Sequence, residues 1–257
     1  MPNLRSLDIQ GFRSGDRMES WCSDLSNLST TRLQRLRLSY DGTLIRAIDV
    51  KQILEKPYMQ ALEALFVPSR SLFPTKRHAD DFFSNPDMLP NLTTIHDDGN
   101  STLLDFYLHR SIRRVLLNTE WKAMPFENLR TSKTQLTHLS TEYPREKLLD
   151  LVVDNLDLFA KLRHLGILDF EDHSAAEIIS DLALLSTLPN ICSIQLDTLE
   201  DNTSYLLNLR AQLPTVARVF HNKTVWWFYD GQWKEVGGQY TSWEIINMGL
   251  DSSLDPL

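Results

Sequence analysis

The stretch Leu4-Arg5-Ser6-Leu7-Asp8-Ile9 decides the fold, because apolar residues occupy its first, fourth and sixth positions. The same spacing returns 29 residues later at Leu33, Leu36 and Leu38, and after another 29 residues at Leu62, Leu65 and Val67. A constant period of about 20–50 residues is the signature of a repeat architecture. The start of the chain therefore predicts stacked repeats.

Further copies of this motif continue along the chain. They lie at Leu92/Ile95, Ile112/Val115/Leu117 and Leu136/Leu139, and then at Leu162/Leu165/Ile167, Ile191/Ile194/Leu196 and Val216/Val219. Asp97 occupies the sixth position of the Leu92 copy. The sequence alone therefore leaves open whether the middle copies are true repeats. Proline precedes several copies, as in Leu89-Pro90-Asn91-Leu92, and proline ends a helix ahead of the next strand.

The segments between the motifs are compatible with helices, best at residues 149–162, 175–188 and 199–213. In the second of these, Ile178, Leu182, Leu185 and Leu188 share one helical face. One strand and one helix cannot bury their apolar faces alone, whereas stacked units build a continuous core. The predicted fold is an α/β solenoid of irregular repeats, with a parallel sheet on the concave face and helices on the convex face.

Alternation along each strand predicts which side chains face a partner. It directs the fourth and sixth positions of the motif inward, and the third and fifth positions outward onto the concave face. The outward residues proposed to bind a protein are Arg35, Arg37, Phe66, His96, Arg114, His138, His164, Gln195 and Phe220. Aromatic, basic and polar side chains on a rigid sheet suit protein recognition. The alternative is that this face is ordinary solvent-exposed surface.

The last part of the chain differs in composition from the repeats. Val225-Trp226-Trp227-Phe228-Tyr229 is joined to Gln232-Trp233-Lys234-Glu235-Val236 by Asp230-Gly231, and Asp-Gly between β-forming residues predicts a hairpin. The hairpin is interpreted as a cap on the last repeat, or else as an exposed aromatic anchor for a partner. The predicted divisions are residues 1–222 for the solenoid, 223–248 for the hairpin or cap, and 249–257 for a disordered tail.

Composition narrows the function classes. A formal net charge of −8 argues against nucleic acid as the partner, since phosphate binding needs clustered Lys and Arg. No apolar run approaches the roughly 20 residues of a membrane span, and the N-terminus does not resemble a signal peptide. Cys22 and Cys192 are the only cysteines, which is typical of buried thiols in a reducing compartment. We therefore expect an intracellular protein of the cytoplasm or nucleus, monomeric and away from membranes.

No catalytic motif stands out. The histidines lack zinc-binding spacings, and no phosphate loop or nucleophile motif is present, so we expect a protein that is not an enzyme and needs no metal or cofactor. The densest acidic cluster, Asp169, Glu171, Asp172 and His173, suggests a metal-dependent enzyme only as a remote alternative. The simpler interpretation is a solvated turn in which Asp172 or Ser174 caps a helix beginning near Ala175.

The repeat pattern resembles the leucine-rich-repeat superfamily over residues 1–222, and it is most similar to the repeat half of fungal F-box proteins. The resemblance implies a substrate-recognition module of an SCF-type ubiquitin ligase, in which an F-box docks the Skp adaptor and the cullin. No F-box precedes Leu4, and the ninth-position asparagine of the family occurs only as Asn100. Either the chain is a fragment or its start codon is placed downstream of the true one, and the sequence leaves open whether an F-box lies upstream. The alternative is a leucine-rich-repeat scaffold or regulator unrelated to ubiquitin.

Overall fold

The fold is α/β, built from parallel strands with helices between them. The computed structural model describes residues 4–12, 33–40, 47–66, 85, 87–97, 111–117, 135–170, 173–197, 205–221, 224–238 and 240–247. The chain divides into two compact units: unit 1 comprises residues 1–112 and 122–134, and unit 2 comprises residues 113–121 and 135–257. The predicted tail, residues 249–257, lies outside the described residues.

Unit 1 contains parallel strands that pair in the order of the sequence. Its described elements are β1 (Ser6–Phe12), β2 (Arg35–Tyr40), helix α1 (Ala47–Leu54), a 3-10 turn (Pro57–Met59), β3 (Ala64–Phe66) and β4 (Thr94–Asp97). Strands β1 to β4 pair consecutively and in parallel. Pro57 begins the 3-10 turn, where its fixed φ angle suits the first helical position.

Unit 2 repeats this arrangement and ends in an antiparallel hairpin and a short helix. Its described elements are β5 (Arg114–Leu117), β6 (His138–Thr141), α2 (Arg145–Asp154), α3 (Leu156–Phe159), β7 (His164–Asp169), α4 (Ala175–Leu182), a 3-10 turn (Ala183–Thr187), β8 (Ser193–Asp197), α5 (Leu206–Gln212), β9 (Arg218–His221), β10 (Thr224–Tyr229), β11 (Gln232–Val236) and α6 (Ser242–Asn247). Strands β5 to β9 pair in parallel, and β9, β10 and β11 pair antiparallel.

The repeat register predicted from the sequence is confirmed within each unit. The fourth-position residues pair directly with one another, as Leu7, Leu36, Leu65 and Ile95 in unit 1 and as Val115, Leu139, Leu165, Ile194 and Val219 in unit 2. The weak middle copies are thus true strands. Strands β2, β3, β4, β6, β7, β8 and β9 also start in the same way: two successive N–H groups donate to one carbonyl of the preceding copy, such as that of Arg163.

The core lies where the first and fourth positions meet the helices. All the first-position side chains from Leu33 to Val216 in the described copies are buried, and the apolar face of the second predicted helix is buried too. That helix begins at Ala175 with a capping box, in which Ser174 and Glu177 satisfy each other's backbone N–H groups. The predicted cap at Ser174 is therefore confirmed.

One inward position was assigned wrongly. Ile167 was expected at the sixth position of its motif, facing the core, but a register shift between Leu165 and Leu168 places Leu168 opposite Leu196. The extra residue leaves Ile167 half-buried, while Leu168 is completely buried. The side chain of Asp97 lies outside the described part of the structure. Among the helices in the described ranges, none is long and apolar enough to cross a membrane.

Candidate functional site

The third positions of five consecutive strands in unit 2 form a continuous row of polar side chains, which we call the third-position row. Its members are Arg114, His138, His164, Ser193 and Arg218, each paired in register with the next. The rings of His138 and His164 are stacked with their centroids 5.9 Å apart. His164 Nδ1 lies 3.0 Å from the Ser193 hydroxyl oxygen. The repeat register thus gathers residues that are 104 positions apart in sequence, from Arg114 to Arg218.

Helix α6 packs against strands β5 and β6, on the side where the third-position row lies. Arg114 Nη1 donates to the carbonyl of Ile246 at 3.2 Å, and Gln195 Nε2 donates to the hydroxyl of Ser242 at 3.1 Å. Ile245 forms an apolar cluster with Phe220. The C-terminal segment of unit 2 therefore folds back over the face that was expected to meet a partner.

The hydrogen bonds at the start of α6 explain why a helix forms there. Thr241 accepts from the N–H of Glu244 at 3.3 Å, and the Glu244 carboxylate accepts from the N–H of Thr241 at 2.7 Å. This reciprocal pair is a capping box. Helix α6 is not among the predicted helices, although the spacing of Thr241 and Glu244 is visible in the sequence.

The expectation that the predicted site residues are exposed is wrong for most of them. Those that are buried are Phe66, His96, His164, Gln195 and Phe220. Those that are partly exposed are Arg35, Arg37, Arg114 and His138. In unit 2 the physical reason is the cover supplied by α6 and the residues that precede it. Whether any of these nine residues contacts a partner stays a prediction.

In unit 1 the fifth positions stack on one another. Asp8, Arg37, Phe66 and His96 are successive partners in register. Arg37 pairs with Asp8 at 3.5 Å, and its guanidinium lies 5.7 Å from the ring centroid of Phe66. The rings of Phe66 and His96 stack at 4.0 Å. These contacts within the sheet face contribute to the burial of both rings, which are only 8% and 4% exposed.

Burial and positive charge keep the two histidines of the third-position row neutral. Burial first, and then the charges of Arg218 and Arg114, lower the pKa of His164 to about 3. Burial and then Arg114 likewise lower the pKa of His138 well below its usual value. Both imidazoles are therefore uncharged at neutral pH, and the positive charge of this region belongs to the arginines.

An open groove lies at the carboxyl ends of strands β6, β7 and β8, and we call it the strand-end groove. It has a volume of about 530 Å³ and is lined by Glu142, Tyr143, Pro144, Arg145, Glu146, Ile167, Asp169, His173 and Asp197. The four carboxylates are exposed, and Tyr143 and Ile167 are half-buried. The groove therefore combines an acidic rim with a partly apolar wall.

Arg145 anchors one side of this groove. Its side chain is 6% exposed, forms an ion pair with Asp181 at 3.1 Å, and donates hydrogen bonds to Glu146 at 2.8 Å and to the carbonyl of Asp169 at 3.1 Å. Its guanidinium also lies 4.6 Å from the ring centroid of Phe170. The contacts of Arg145 hold α2 against the end of β7 and fix the shape of the groove.

The acidic cluster considered for metal binding is only partly described. Asp169 and His173 both line the strand-end groove, whereas Glu171 and Asp172 lie outside the described residues. Within the ranges that the structure describes, no group of three or more His, Cys, Asp or Glu side chains is arranged to hold a metal ion. The described part of the groove thus offers an acidic surface.

The predicted hairpin is present at Asp230 and Gly231. Their φ angles of +52° and +78° suit the tight turn that Asp-Gly favours. Strand β10 pairs antiparallel with β9, so that Val225 lies opposite Phe220 and joins the same buried cluster. The inner part of the hairpin thus extends the sheet and packs as a cap would, while Tyr229 at the turn is 63% exposed.

No model of a known protein family matches this sequence, and no curated protein is significantly similar to it.

Proposed function

We propose that this chain is a leucine-rich-repeat module that binds another protein, and that the strand-end groove of unit 2 holds a basic segment of that partner. The observation that carries the proposal is the open groove of about 530 Å³ with four exposed carboxylates on its rim. The fixed register of the strands supports the repeat assignment.

The groove favours a basic peptide for electrostatic reasons. The only arginine of its described lining, Arg145, is already bonded to Asp181 and Glu146. A partner bearing Lys or Arg would meet complementary charge, which increases association rates and specificity. Tyr143, half-buried beside the carboxylates, offers an aromatic contact of the kind that dominates interface energetics. The chain's net charge of −8 acts in the same direction.

The groove is a better candidate than the concave face in unit 2 because it is accessible. The third-position row lies beneath α6, whose backbone and side chains already contact Arg114 and Gln195. In unit 1, Arg35 and Arg37 are partly exposed and stay predicted contacts for a partner.

The finer proposal is that the module recognises substrates for an F-box-type ubiquitin-ligase receptor of the cytoplasm or nucleus. It is supported by the resemblance of the repeats, and it requires an F-box that docks the Skp adaptor. The alternative is a leucine-rich-repeat scaffold unrelated to ubiquitin. The two differ in one measurable consequence, because only a ligase receptor shortens the lifetime of the protein it binds.

A photo-crosslinking amino acid at position 143 tests the groove directly in cells. We expect the replacement at Tyr143 to capture a protein through a Lys- and Arg-rich segment, identified by mass spectrometry. The same replacement at Leu207, which is 83% exposed on α5, serves as the control and should not capture that segment. Charge reversal by Glu142→Lys and Asp197→Lys should abolish the crosslink, whereas Glu235→Lys on the hairpin should preserve it.

Several outcomes would contradict the proposal. Capture of an acidic or uncharged segment would exclude the electrostatic argument, and an undiminished crosslink in the charge-reversed protein would exclude the groove. For the ligase role, the captured protein should persist longer in cells that carry the Glu142→Lys and Asp197→Lys chain. An unchanged lifetime, with binding lost, would favour the scaffold.

A further inference from the structure

A small cavity lies along the third-position row of unit 2. Its described lining is Arg114, His138, Arg163, His164, Cys192, Ser193, Arg218, Phe220 and Ile245. The cavity measures about 20 Å³, which is enough for one guest of about the size of a water molecule. Arg163 is exposed, so the cavity has a wall that reaches solvent.

The polar groups of this lining are mostly hydrogen-bond donors. The three arginines carry donors only, and the thiol of Cys192 already donates to the carbonyl of Arg163 at 3.4 Å. The Ser193 hydroxyl is engaged with His164 Nδ1 at 3.0 Å. None of the described lining residues is a carboxylate. The cavity thus concentrates positive charge and donors around a single small space.

His164 supplies the second observation. Its side chain is 1% exposed, and its buried Nε2 atom has no hydrogen-bond partner. A neutral imidazole carries its proton on one nitrogen only. If the Ser193 hydroxyl donates to His164 Nδ1, the imidazole proton is on Nε2. The Nε2–H group is then a donor without an acceptor. A buried donor without an acceptor costs roughly the free energy of its lost hydration, so an acceptor beside it stabilises the fold.

We propose that this cavity binds a single monatomic anion of the size of chloride, which accepts from His164 Nε2–H in the field of the surrounding guanidinium groups. A water molecule fits the space but must also donate its own hydrogens, and the described lining offers few acceptors for them. An anion needs only donors. The small size of the cavity favours a monatomic anion over a larger polyatomic anion such as sulfate. The site is independent of the strand-end groove and of the function proposed for it.

Chloride-35 relaxation on the whole purified chain tests the site, with gluconate as the background anion. Exchange between free and bound chloride should broaden the resonance in the presence of the protein. Bromide should reverse the broadening by competition, whereas sulfate at matched ionic strength should not. In crystals grown with bromide, an anomalous peak should lie in contact with His164 Nε2.

Two substitutions at position 164 distinguish the effect of the hydrogen-bond donor at Nε2 from the effect of side-chain packing. His164→Asn retains an amide near Nδ1 for Ser193 but loses the donor at Nε2, so the chloride dissociation constant should rise roughly tenfold or more. His164→Gln retains a donor near Nε2 and should bind within a few-fold of the natural protein. Circular dichroism of both variants verifies that they are folded.

The competition and the anomalous peak need no substitution, so they decide the matter even where a variant fails to fold. Absence of broadening in the natural protein would overturn the proposal. Reversal by sulfate equal to that by bromide would also overturn it, because it would indicate surface screening. Equal chloride binding by His164→Asn and His164→Gln would remove His164 from the site.

Discussion

The neutral, buried His164 should make the stability of the protein depend on pH. In an unfolded chain a histidine titrates near 6.5, whereas burial and the neighbouring arginines lower the pKa of His164 in the folded protein to about 3. Between these values the unfolded chain binds a proton that the folded protein does not. The free energy of unfolding therefore falls as the pH falls from about 6.5 toward 3.

The size of the effect follows from the linkage relation. A histidine that stays neutral in the folded protein lowers the free energy of unfolding by about 2 kcal/mol when the pH goes from 7 to 5. His138 acts in the same direction, because burial and then Arg114 lower its pKa as well. Replacing His164 by glutamine removes the proton-binding group from both states. We therefore expect this part of the pH dependence to disappear in His164→Gln.

Urea unfolding at pH 7, 6 and 5, monitored by tryptophan fluorescence and circular dichroism, measures the free energy of unfolding of the natural chain and of His164→Gln. Gluconate as the only added anion keeps chloride out of the comparison. Between pH 7 and pH 5, the free energy of unfolding of the natural chain should fall by about 2 kcal/mol more than that of His164→Gln. Leu207→Gln, at a position that is 83% exposed, should run parallel to the natural chain and serves as the control.

Parallel stability curves for the natural chain and His164→Gln would refute the reasoning. That result would mean that His164 takes up its proton in the folded protein at ordinary pH. If the variant is unfolded at pH 7, the imidazole carbon chemical shifts of the natural protein give the same answer. They should report a neutral ring down to pH 5.

Three further substitutions test particular contacts, each by urea unfolding. Arg145→Leu should cost about 1–3 kcal/mol, because it removes the partly buried hydrogen bond to the carbonyl of Asp169, and Arg145→Lys should cost less; equal costs would contradict a role for the guanidinium geometry. Ser174→Ala should cost about 1 kcal/mol through loss of the capping box, and no change in stability would count against it. Gly166→Ala should cost about 1–3 kcal/mol, since the added Cβ would meet the Cβ of Gln195 at 2.6 Å; a neutral result would mean that β7 and β8 move apart at little cost.

The repeat register was predictable from the sequence because it depends on a local pattern repeated many times. Each copy has its own apolar residues at the first and fourth positions, such as the buried Leu162 and Leu165. Stacking of the copies then brings the equivalent positions of neighbouring strands into register. The hairpin at Asp230-Gly231 was predictable for a similar reason, since the dipeptide itself prefers the required φ angles.

The bulge in β7 and the cover over the third-position row were harder to predict. A one-residue shift beside Ile167 leaves the hydrophobic pattern almost unchanged, because Leu168 follows it and is also apolar. The contact of α6 with the sheet joins residues as distant as Arg114 and Ile246, which no local pattern reports. The strand-end groove forms where the carboxyl ends of three neighbouring strands lie side by side. The spacing of residues in the sequence does not show which side chains meet there.

The burial of most fifth positions and several third positions has a general cause that also explains the location of the groove. Parallel strands are normally covered on both faces. In unit 2 the helices between the parallel strands can cover one face only, and α6 with Phe220 and Ile245 covers part of the other. Side chains on a covered face are engaged in packing. Those at the carboxyl ends of the strands, including Glu142 and Asp197, are free of that constraint, and in open α/β sheets this is the edge where ligands bind. A covered face and an open strand-end groove are therefore two consequences of one packing requirement, which is why we propose the groove as the recognition site of unit 2.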